Sequence, residues 1–335
     1  MQPIQEFYPL LQVPRRVVIT THQKPDGDAM GSSLALKHFL EKLGHTATVI
    51  SPTNWAAFLN WMPGSKSVID FDTKRTVAEQ LIREAEWIFC LDFNNLPRTK
   101  NMEQALASAT ATRILIDHHQ EPQVEVFSYG ISLTQKSSTC EMVYDFIVDS
   151  GHASLIDIPI AECLYTGVMT DTGSFRFPIT SSAVHLMVAE LKKTGFEHQR
   201  VHDNIFDSYL ENRLRFTGHV LLHRMEVLYE YNTVLLSIPK SDLLRFNIQT
   251  GDTEGLVNFP LSILGIKMVA IVIDRDEERK WSFRSKGNVD VNTFARKFFN
   301  GGGHFNAAGG RSNDSLDQTV KYFYEAIRTM QDVLE

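Results

Sequence analysis

The sequence predicts an α/β protein with an N-terminal domain, in which helices cover both faces of a parallel sheet, and a smaller C-terminal α/β domain. Four apolar runs of strand length before residue 120 alternate with amphipathic segments of helical length, which is typical of a parallel sheet. The chain has 335 residues, more than one average domain, and its pattern of strands changes after residue 216. We therefore expect a first domain over 1–194, a helical linker over 195–216 and a second domain over 217–335.

The first strand leads into a polar turn. The buried run Val17-Val18-Ile19 is followed by His22, Asp26 and Asp28, and then by apolar residues at helical spacing. In open α/β sheets, ligands bind at the turns that follow the carboxyl ends of strands. Gly27 would let the backbone bend sharply, so that the two carboxylates converge. The alternative is a plain polar loop in which Asp28 caps the helix.

Two of the next three strands also end on polar residues. Thr46–Ile50 is the second strand, Trp87–Leu91 ends on Asp92, and Arg113–Ile116 ends on Asp117-His118-His119. Because right-handed crossovers place the ends of parallel strands at one edge of the sheet, we expect these side chains to gather beside the first turn.

Helices complete the first domain. Ser138-Thr139-Cys140-Glu141 has the form of a capping box and opens a helix through Val148. We assign these four residues no chemistry. A second helix, from about Pro159 to Val168, leads to Asp171, and a third runs over 182–193.

The second domain mixes strands and helices. The expected strands are Val234–Ile238, Met268–Ile273 and Trp281–Ser285, the last two forming a hairpin through the polar turn Asp274–Glu278. The expected helices are Val291–Phe299 and the amphipathic segment Leu316–Leu334, with Gly301-Gly302-Gly303-His304 between them.

The strand and helix ends carry an unusual set of side chains. They are His22, Asp26, Asp28, Asp92, Asp117, His118, His119 and Asp171. Unpaired buried carboxylates cost several kcal/mol each or take up a proton, so a core has little reason to collect them. Carboxylates with imidazoles and no thiolate suit divalent cations, Mn²⁺ in particular. Two ions about 3.5–4 Å apart, sharing one carboxylate, would activate a water and stabilise phosphoryl oxygens.

Composition excludes several classes of partner. The formal net charge of -7 argues against an extended surface for duplex nucleic acid. The three cysteines are scattered in apolar contexts, so we expect a reducing, cytoplasmic environment. We see no signal peptide and no apolar run of membrane-spanning length, and we expect no membrane partner.

In order, His22-x-x-x-Asp26-x-Asp28, Asp92, Asp117-His118-His119 and Asp171 resemble the DHH phosphoesterase superfamily. Arg284-Ser285 and Gly301-Gly302-Gly303-His304-x-x-Ala307-Ala308-Gly309 resemble its DHH-associated C-terminal domain. The resemblance implies two domains with an active-site cleft between them.

The resemblance also implies roles for these residues. One metal ion would bind His22, Asp26 and Asp92, and a second would bind Asp28, Asp92, His118 and Asp171. Asp117 would orient the histidines, and His119 would face the reacting phosphate as a donor of a hydrogen bond or proton. Arg284, Ser285 and the amides of Gly301, Gly302 and Gly303 would bind a substrate phosphate. His304 would contact phosphate or base.

The two-domain size without further modules resembles the nanoRNase and pAp phosphatase (NrnA-like) group. The implied substrates are short single-stranded oligonucleotides of RNA or DNA, or 3′-phosphoadenosine 5′-phosphate (pAp). A RecJ-like exonuclease, a phosphodiesterase of linear or cyclic dinucleotides, and a nucleotide-binding regulator without catalysis are the alternatives. The preferred substrate, the polarity of degradation and the oligomeric state, a homodimer included, are left open.

Overall fold

A computed structural model describes residues 1–275 and 278–334 of the chain, which divides into two units, Met1–Ser208 and Tyr209 onward. The first unit is built on seven strands: β1 (Gln2–Pro3), β2 (Arg16–Thr20), β3 (Thr46–Ser51), β4 (Ile69–Asp70), β5 (Trp87–Leu91), β6 (Thr112–Asp117) and β7 (Tyr129–Ser132). Its helices are α1 (Gly27–Lys42), α2 (Arg75–Glu84), α3 (Glu103–Ser108), α4 (Thr139–Asp149), α5 (Ile158–Asp171), α6 (Ser182–Lys192) and α7 (His198–Phe206).

The first sheet is parallel throughout, in the order β1-β7-β6-β5-β2-β3-β4. Side chains alternate between its faces, as the two-residue period of a strand requires. Val17 and Ile19 of β2 pack among residues of α1, α4 and α5, whereas Val18 packs on the opposite face with residues of α2 and α3. The predicted parallel sheet with helices on both faces is confirmed, and β2, β5 and β6 are neighbours.

Helices α1 and α5 pack unusually closely. A Cβ atom on Gly27 would lie 2.4 Å from Thr170 Oγ1, one on Gly31 would lie 2.5 Å from the Cys163 carbonyl oxygen, and one on Gly167 would lie 2.7 Å from Asp28 Oδ1. Gly27 is the first residue of α1 and has no positive φ. Our prediction that Gly27 serves a sharp bend was therefore wrong, since its small size serves helix packing.

The second unit has a six-stranded mixed sheet in the order β12-β13-β11-β10-β9-β8, parallel only between β9 and β10. Its strands are β8 (Met225–Leu228), β9 (Thr233–Ile238), β10 (Met268–Asp274), β11 (Arg279–Ser285), β12 (Gly302–His304) and β13 (Ala307–Ser312). Its helices are α8 (Glu211–His223), α9 (Lys240–Arg245), α10 (Val291–Phe298), α11 (Leu316–Arg328) and α12 (Gln331–Leu334). The sheet and helices enclose an aromatic core around Trp281, Phe283 and Phe323.

Most predicted elements are present, with shifted ends. The predicted hairpin is confirmed by antiparallel pairing of β10 with β11. Asp276 and Glu277 of its predicted turn lie outside the described residues. The predicted final helix is interrupted after Arg328, and the Gly302–His304 segment is a strand. Residues 195–216 contain α7 and the first part of α8, and the proposed domain boundaries stay predictions.

Candidate metal centre

The candidate metal centre lies where three neighbouring strands of the first sheet end. His22 follows β2, Asp92 follows β5, and Asp117 is the last residue of β6. These strands are adjacent, so the polar residues after them meet at one edge. Helix α1 adds Asp26 and Asp28 at its N-terminus, and α5 adds Asp171 as its last residue. The sequence patterns placed Asp171 after a helix ending at Val168, but the helix continues to it.

Asp92 is the centre of the cluster, and its side chain is almost fully buried. Its carboxylate oxygens lie 3.3 Å from His22 Nε2, 3.4 Å from His118 Nε2 and 3.7 Å from His119 Nδ1. Its φ angle is 63°, in the left-handed region that a residue with a Cβ rarely adopts. Such strain persists where the surroundings demand it, and here it turns the carboxylate toward three imidazoles.

The remaining predicted ligands lie close to these atoms. Ligand atoms of His22, Asp26 and Asp92 lie within 4.8 Å of one another, as do those of Asp28, Asp92 and His118. His118 Nε2 also lies 3.4 Å from Asp171 Oδ2. The structure therefore brings together all six side chains for which we predicted a ligand role.

Asp26 caps α1, because its Oδ1 accepts hydrogen bonds from the backbone N–H groups of Asp28 and Ala29, both at 3.1 Å. This leaves the side chain of Asp28 for a different contact. The alternative in which Asp28 caps the helix is therefore wrong. The Asp28 carboxylate instead points toward the N-terminus of α4 and lies 3.8 Å from His118 Nε2.

Helix α4 supports the cluster through its N-terminus, a contribution that the sequence patterns did not predict. Thr139 N donates to Asp28 Oδ2 at 2.6 Å, and Cys140 N donates to Asp28 Oδ1 at 2.8 Å. The hydroxyl of Thr139 donates to Asp92 Oδ1 at 3.1 Å. Thr139 thus holds two candidate ligands at once, with help from the positive end of the helix dipole. The only local signal was the capping motif.

The capping motif at the start of α4 departs from a reciprocal capping box. Ser138 accepts a hydrogen bond from Glu141 N, as a cap should. The Glu141 carboxylate, however, accepts from the backbone N–H and hydroxyl of Ser137, both at 2.8 Å, rather than closing a reciprocal box. It also pairs with Lys136 Nζ at 2.9 Å. The carbonyl oxygen of Lys136 lies 3.3 Å from His118 Nδ1, so this loop also orients a candidate ligand.

Asp117 orients one histidine of the pair that follows β6. Its Oδ1 accepts a hydrogen bond from His119 Nδ1 at 2.8 Å, and its Oδ2 accepts from His119 N at 3.1 Å. His118 is held by the Lys136 carbonyl instead. We predicted that Asp117 would orient the histidines, and these contacts reach His119 in particular. Arg98, which the patterns did not single out, donates to the Asp92 carbonyl oxygen at 3.4 Å.

The pKa values of the buried carboxylates shift in opposite directions, because burial and mutual repulsion raise two of them and hydrogen bonds from imidazoles lower the third. Burial raises the pKa of Asp28 to about 7, and the charge of Asp92 adds to the shift. Burial, followed by the charge of Asp28, raises the pKa of Asp171 well above its ordinary value. Burial alone would raise the pKa of Asp92, but hydrogen bonds from His118 and His22 hold it well below its ordinary value.

The pKa values of His118 and His119 also shift in opposite directions. Burial lowers the pKa of His118, but the hydrogen bond to Asp92 and the charge of Asp171 outweigh burial and raise it well above its ordinary value. Burial and the charge of Arg98 lower the pKa of His119. Protons shared with His118 therefore offset part of the negative charge of the cluster. A divalent cation would displace such protons and offset the charge more completely.

The donor set fits divalent cations. It contains carboxylates and imidazoles, and the nearby Cys140 thiol is buried with its pKa raised well above its ordinary value by burial and by Asp28. A metal-ligating histidine usually forms a hydrogen bond through the ring nitrogen that does not bind the metal. In His22 that nitrogen, Nδ1, lies 2.8 Å from the Gln23 carbonyl oxygen.

In the second unit, several predicted substrate-binding groups already have partners. The Ser285 hydroxyl donates to the Val289 carbonyl oxygen at 2.6 Å. Gly301 N donates to the Ala295 carbonyl oxygen at 3.2 Å, and Gly303 N donates to Asn292 Oδ1 at 2.8 Å. These three donors are therefore committed within the domain. The roles of Ser285 and the glycines in binding substrate stay predictions.

Arg284 of β11 and His304 of β12 are both paired with Ala307 of β13. The Arg284 guanidinium donates to the Phe283 carbonyl oxygen at 3.0 Å. Gly302 pairs with Gly309 across β12 and β13. The roles of Arg284, Gly302 and His304 in binding substrate likewise stay predictions.

Comparison with known proteins gives consistent matches along the chain. Residues 16–168 match the DHH family, N-terminal domain, and residues 229–334 match the DHHA1 domain. The crystal structure of an exopolyphosphatase-related protein from Bacteroides fragilis is 38% identical in sequence, with a TM-score of 0.93. That match covers 99% of this chain and 97% of the other.

The relatives that carry the name bifunctional oligoribonuclease and PAP phosphatase NrnA include proteins from Bacillus subtilis and Thermus thermophilus. The one from Bacillus subtilis is 26% identical over 297 residues, covering 88% of each chain. The one from Thermus thermophilus is 28% identical over 323 residues, covering 93% of this chain and 89% of the relative.

A helix that crosses a membrane must be both long and apolar. None of the helices in residues 1–275 and 278–334 meets both requirements.

Proposed function

Because this chain belongs to the DHH phosphoesterase family, with a DHHA1 domain in its C-terminal part, we propose that it hydrolyses very short oligoribonucleotides and pAp. The family makes it a hydrolase of phosphate esters. The finer assignment draws on the relatives from Bacillus subtilis and Thermus thermophilus, whose shared name joins these two activities. Both relatives match over most of their length, so the proposal concerns the whole chain.

The observation that carries this proposal is the convergence on Asp92. Three imidazole nitrogens lie within 3.7 Å of its carboxylate oxygens, and four more carboxylates surround them, those of Asp26, Asp28, Asp117 and Asp171. An ordinary core cluster would pair its carboxylates with cations of the protein. Here the excess of carboxylates makes the site suited to bound metal ions.

We assign the ligands to two Mn²⁺ ions. His22, Asp26 and Asp92 would hold one ion, and Asp28, Asp92, His118 and Asp171 would hold the other. Such ions polarise phosphoryl oxygens and lower the pKa of a bound water. The helix α4 amides keep Asp28 in place, and the Thr139 hydroxyl does the same for Asp92.

His119 would act on the reacting phosphate. Because the Asp117 carboxylate accepts a hydrogen bond from Nδ1, a neutral ring carries its proton there. Nε2 then carries a lone pair, so the ring would accept a hydrogen bond or proton there, for example from the attacking water, and could donate to the substrate only in its protonated form. The lowered pKa of His119, caused by burial and Arg98, favours the neutral ring near neutral pH.

The C-terminal domain would bind another part of the substrate. Arg284 would hold a phosphate through its guanidinium, and His304 would contact phosphate or base. Ser285, Gly301 and Gly303 would act by supporting that surface, because their donors have partners within the domain. Gly302 would contribute its backbone to the same surface.

A substrate panel tests the proposal. Purified protein with Mn²⁺ is assayed against pAp, a dinucleotide, a tetranucleotide, a strand of about 24 nucleotides and polyphosphate, with chelator-treated protein as the control. We expect the dinucleotide and tetranucleotide to be cleaved much faster than the long strand, because an acidic surface repels extended phosphate chains. We also expect cleavage of pAp and loss of all activity with chelator.

Other outcomes point elsewhere. Equal kcat/KM values for the three strand lengths would favour a RecJ-like exonuclease. Cleavage of polyphosphate alone would favour an exopolyphosphatase, the activity to which the name of the Bacteroides fragilis protein refers. Binding of nucleotides without any turnover would favour a regulator.

A further inference from the structure

Arg98 brings a guanidinium to the candidate metal centre. It lies in the 3₁₀ segment Leu96–Met102, between β5 and α3. Its Nη1 donates to the backbone carbonyl oxygen of Asp92 at 3.4 Å. Its own carbonyl oxygen accepts a hydrogen bond from Gln23 N at 2.9 Å, which ties it to the loop that carries His22. Arg98 is therefore held between two of the candidate ligands.

The guanidinium of Arg98 has fewer partners than those of Arg75 and Arg113 in the same unit. Arg75 pairs with Glu79 at 2.8 Å, and Arg113 donates to three backbone carbonyls. Arg98 has a single long hydrogen bond and, among residues 1–275 and 278–334, no ion pair with a carboxylate. Its side chain is partly exposed. Since a guanidinium carries several N–H donors in a fork, most of them remain for a ligand.

The charges around Arg98 favour a negatively charged ligand. The positive charge of Arg98 opposes protonation of both His22 and His119, since it acts to lower the pKa of each ring. It also lies beside carboxylates that would hold further cations. A cation in such surroundings gains most from an anion that it can bind through two parallel hydrogen bonds, as phosphate allows.

We propose that Arg98 is a phosphate-binding residue that contacts the non-bridging oxygens of the reacting phosphate on the side of His119. This inference rests on the proposed function, since it assigns the ligand of the same site. The ligand class is a phosphate monoester or diester, or inorganic phosphate as product. Arg98 adds a positive charge to the substrate side of the site without being a metal ligand.

The test compares Arg98→Gln and Arg98→Lys with the wild type and with Arg75→Gln, an exposed arginine of the same domain. Binding of inorganic phosphate to the Mn²⁺-loaded full chain is measured by calorimetry. We expect Arg98→Gln to weaken phosphate binding by about 10- to 100-fold, and Arg98→Lys to weaken it less. Metal content and melting temperature should equal those of the wild type, and Arg75→Gln should match the wild type throughout.

Turnover of pAp gives the second measurement. Arg98→Gln should raise KM and lower kcat/KM, because the contact is made to the bound substrate as well as to the transition state. Unchanged phosphate affinity in Arg98→Gln would overturn the proposal. Loss of bound metal or a lowered melting temperature in both variants, with normal phosphate binding per metal-loaded molecule, would also overturn it, because Arg98 would then only support Asp92.

The same data separate this inference from the proposed function. If the wild type cleaves no nucleotide substrate yet binds phosphate in an Arg98-dependent way, the proposed function fails and the role of Arg98 stands. If the wild type cleaves the short substrates and Arg98→Gln does so equally well, with equal phosphate affinity, only the role of Arg98 fails.

Discussion

Two buried carboxylates, Asp92 in the first unit and Asp242 in the second, each contact histidine but differ in how their charge is balanced. Asp242 accepts two hydrogen bonds from the Arg224 guanidinium, at 2.6 and 3.1 Å, and lies 3.1 Å from His219 Nε2. One permanent cation thus neutralises one carboxylate. The Asp92 carboxylate instead lies against three imidazoles and the Thr139 hydroxyl, and further carboxylates surround them.

The difference teaches how to separate a structural ion cluster from a site built for a ligand. Burial would raise the pKa of Asp242, but the hydrogen bonds from Arg224 and His219 lower it, so this site is complete. In the other cluster, burial and neighbouring negative charge raise the pKa values of Asp28 and Asp171. Carboxylates that repel one another in a buried site are stabilised when cations bind.

The largest expected effect comes from Asp92→Ala. If Asp92 is shared by two ions, its removal should release metal and lower activity by more than about 1000-fold, since metal ions contribute several kcal/mol to the transition state. Metal content of the purified variant and its kcat/KM for pAp are the measurements. Occupancy by two ions in the variant would remove Asp92 from the shared position.

Asp242→Ala is the matched control. It should leave the metal content unchanged and lower the free energy of unfolding by about 1–2 kcal/mol, because it removes the hydrogen bonds that the partly exposed Arg224 and His219 make to Asp242. Metal loss in this variant would contradict the contrast between the two clusters.

A smaller effect is expected for His119→Ala. The variant should keep its metal but lose about 100- to 1000-fold in turnover, because the proposed role of His119 is on the phosphate. The measurement is kcat together with metal content. Loss of one metal equivalent would mean that His119, rather than His118, is the ligand. Replacement of the surface residue His185 should change neither quantity.

Thr139→Val sharpens the comparison further. It removes the hydroxyl that donates to Asp92 while keeping the backbone N–H that donates to Asp28. We expect metal affinity to fall about 10- to 100-fold, as for other residues that orient a metal ligand. Thr139→Ser should restore most of the affinity. The measurement is a metal titration of both variants. Equal metal affinities of Thr139→Val and Thr139→Ser would show that the hydroxyl is dispensable.

The smallest expected effect is on the pH dependence of metal-free protein. The folded-state pKa of Asp28, about 7, is above its ordinary value of 3.8. Its contribution to stability is therefore present at acidic pH and is lost as pH rises from about 4 through 7, by up to about 1.4 kcal/mol per pH unit. Asp28→Asn should flatten this fall in chelator-treated protein. The lowered pKa of Asp242 has the opposite sign, with stability present above pH 3.8 and lost below it.

Denaturant unfolding of the metal-free wild type, Asp28→Asn and Asp242→Asn between pH 5 and pH 7 measures these slopes. The expected result is a slope changed by Asp28→Asn and left unchanged by Asp242→Asn. Identical slopes for all three proteins would show that Asp28 does not carry the excess charge.

Local sequence patterns determined much of this fold. The strands Trp87–Leu91 and Thr46–Ile50 could be predicted because apolar runs between turns need no distant information. The position of the site followed from the same pattern, since parallel strands end at one edge and His22, Asp92 and Asp117 come just after or at those ends. The candidate ligands could therefore be identified from the sequence.

Tertiary structure decided what holds those ligands. The contacts of Asp28 with Thr139 and Cys140 join residues more than 100 positions apart, and backbone N–H donors leave no mark in a sequence. The role of Gly27 was predicted wrongly for the same reason, because the side chain it must avoid lies on α5. Nothing in the sequence distinguishes Arg98 from a surface arginine, and only the fold places it against the Asp92 carbonyl oxygen. Residue type sets which chemistry is available, but only long-range packing sets which groups meet.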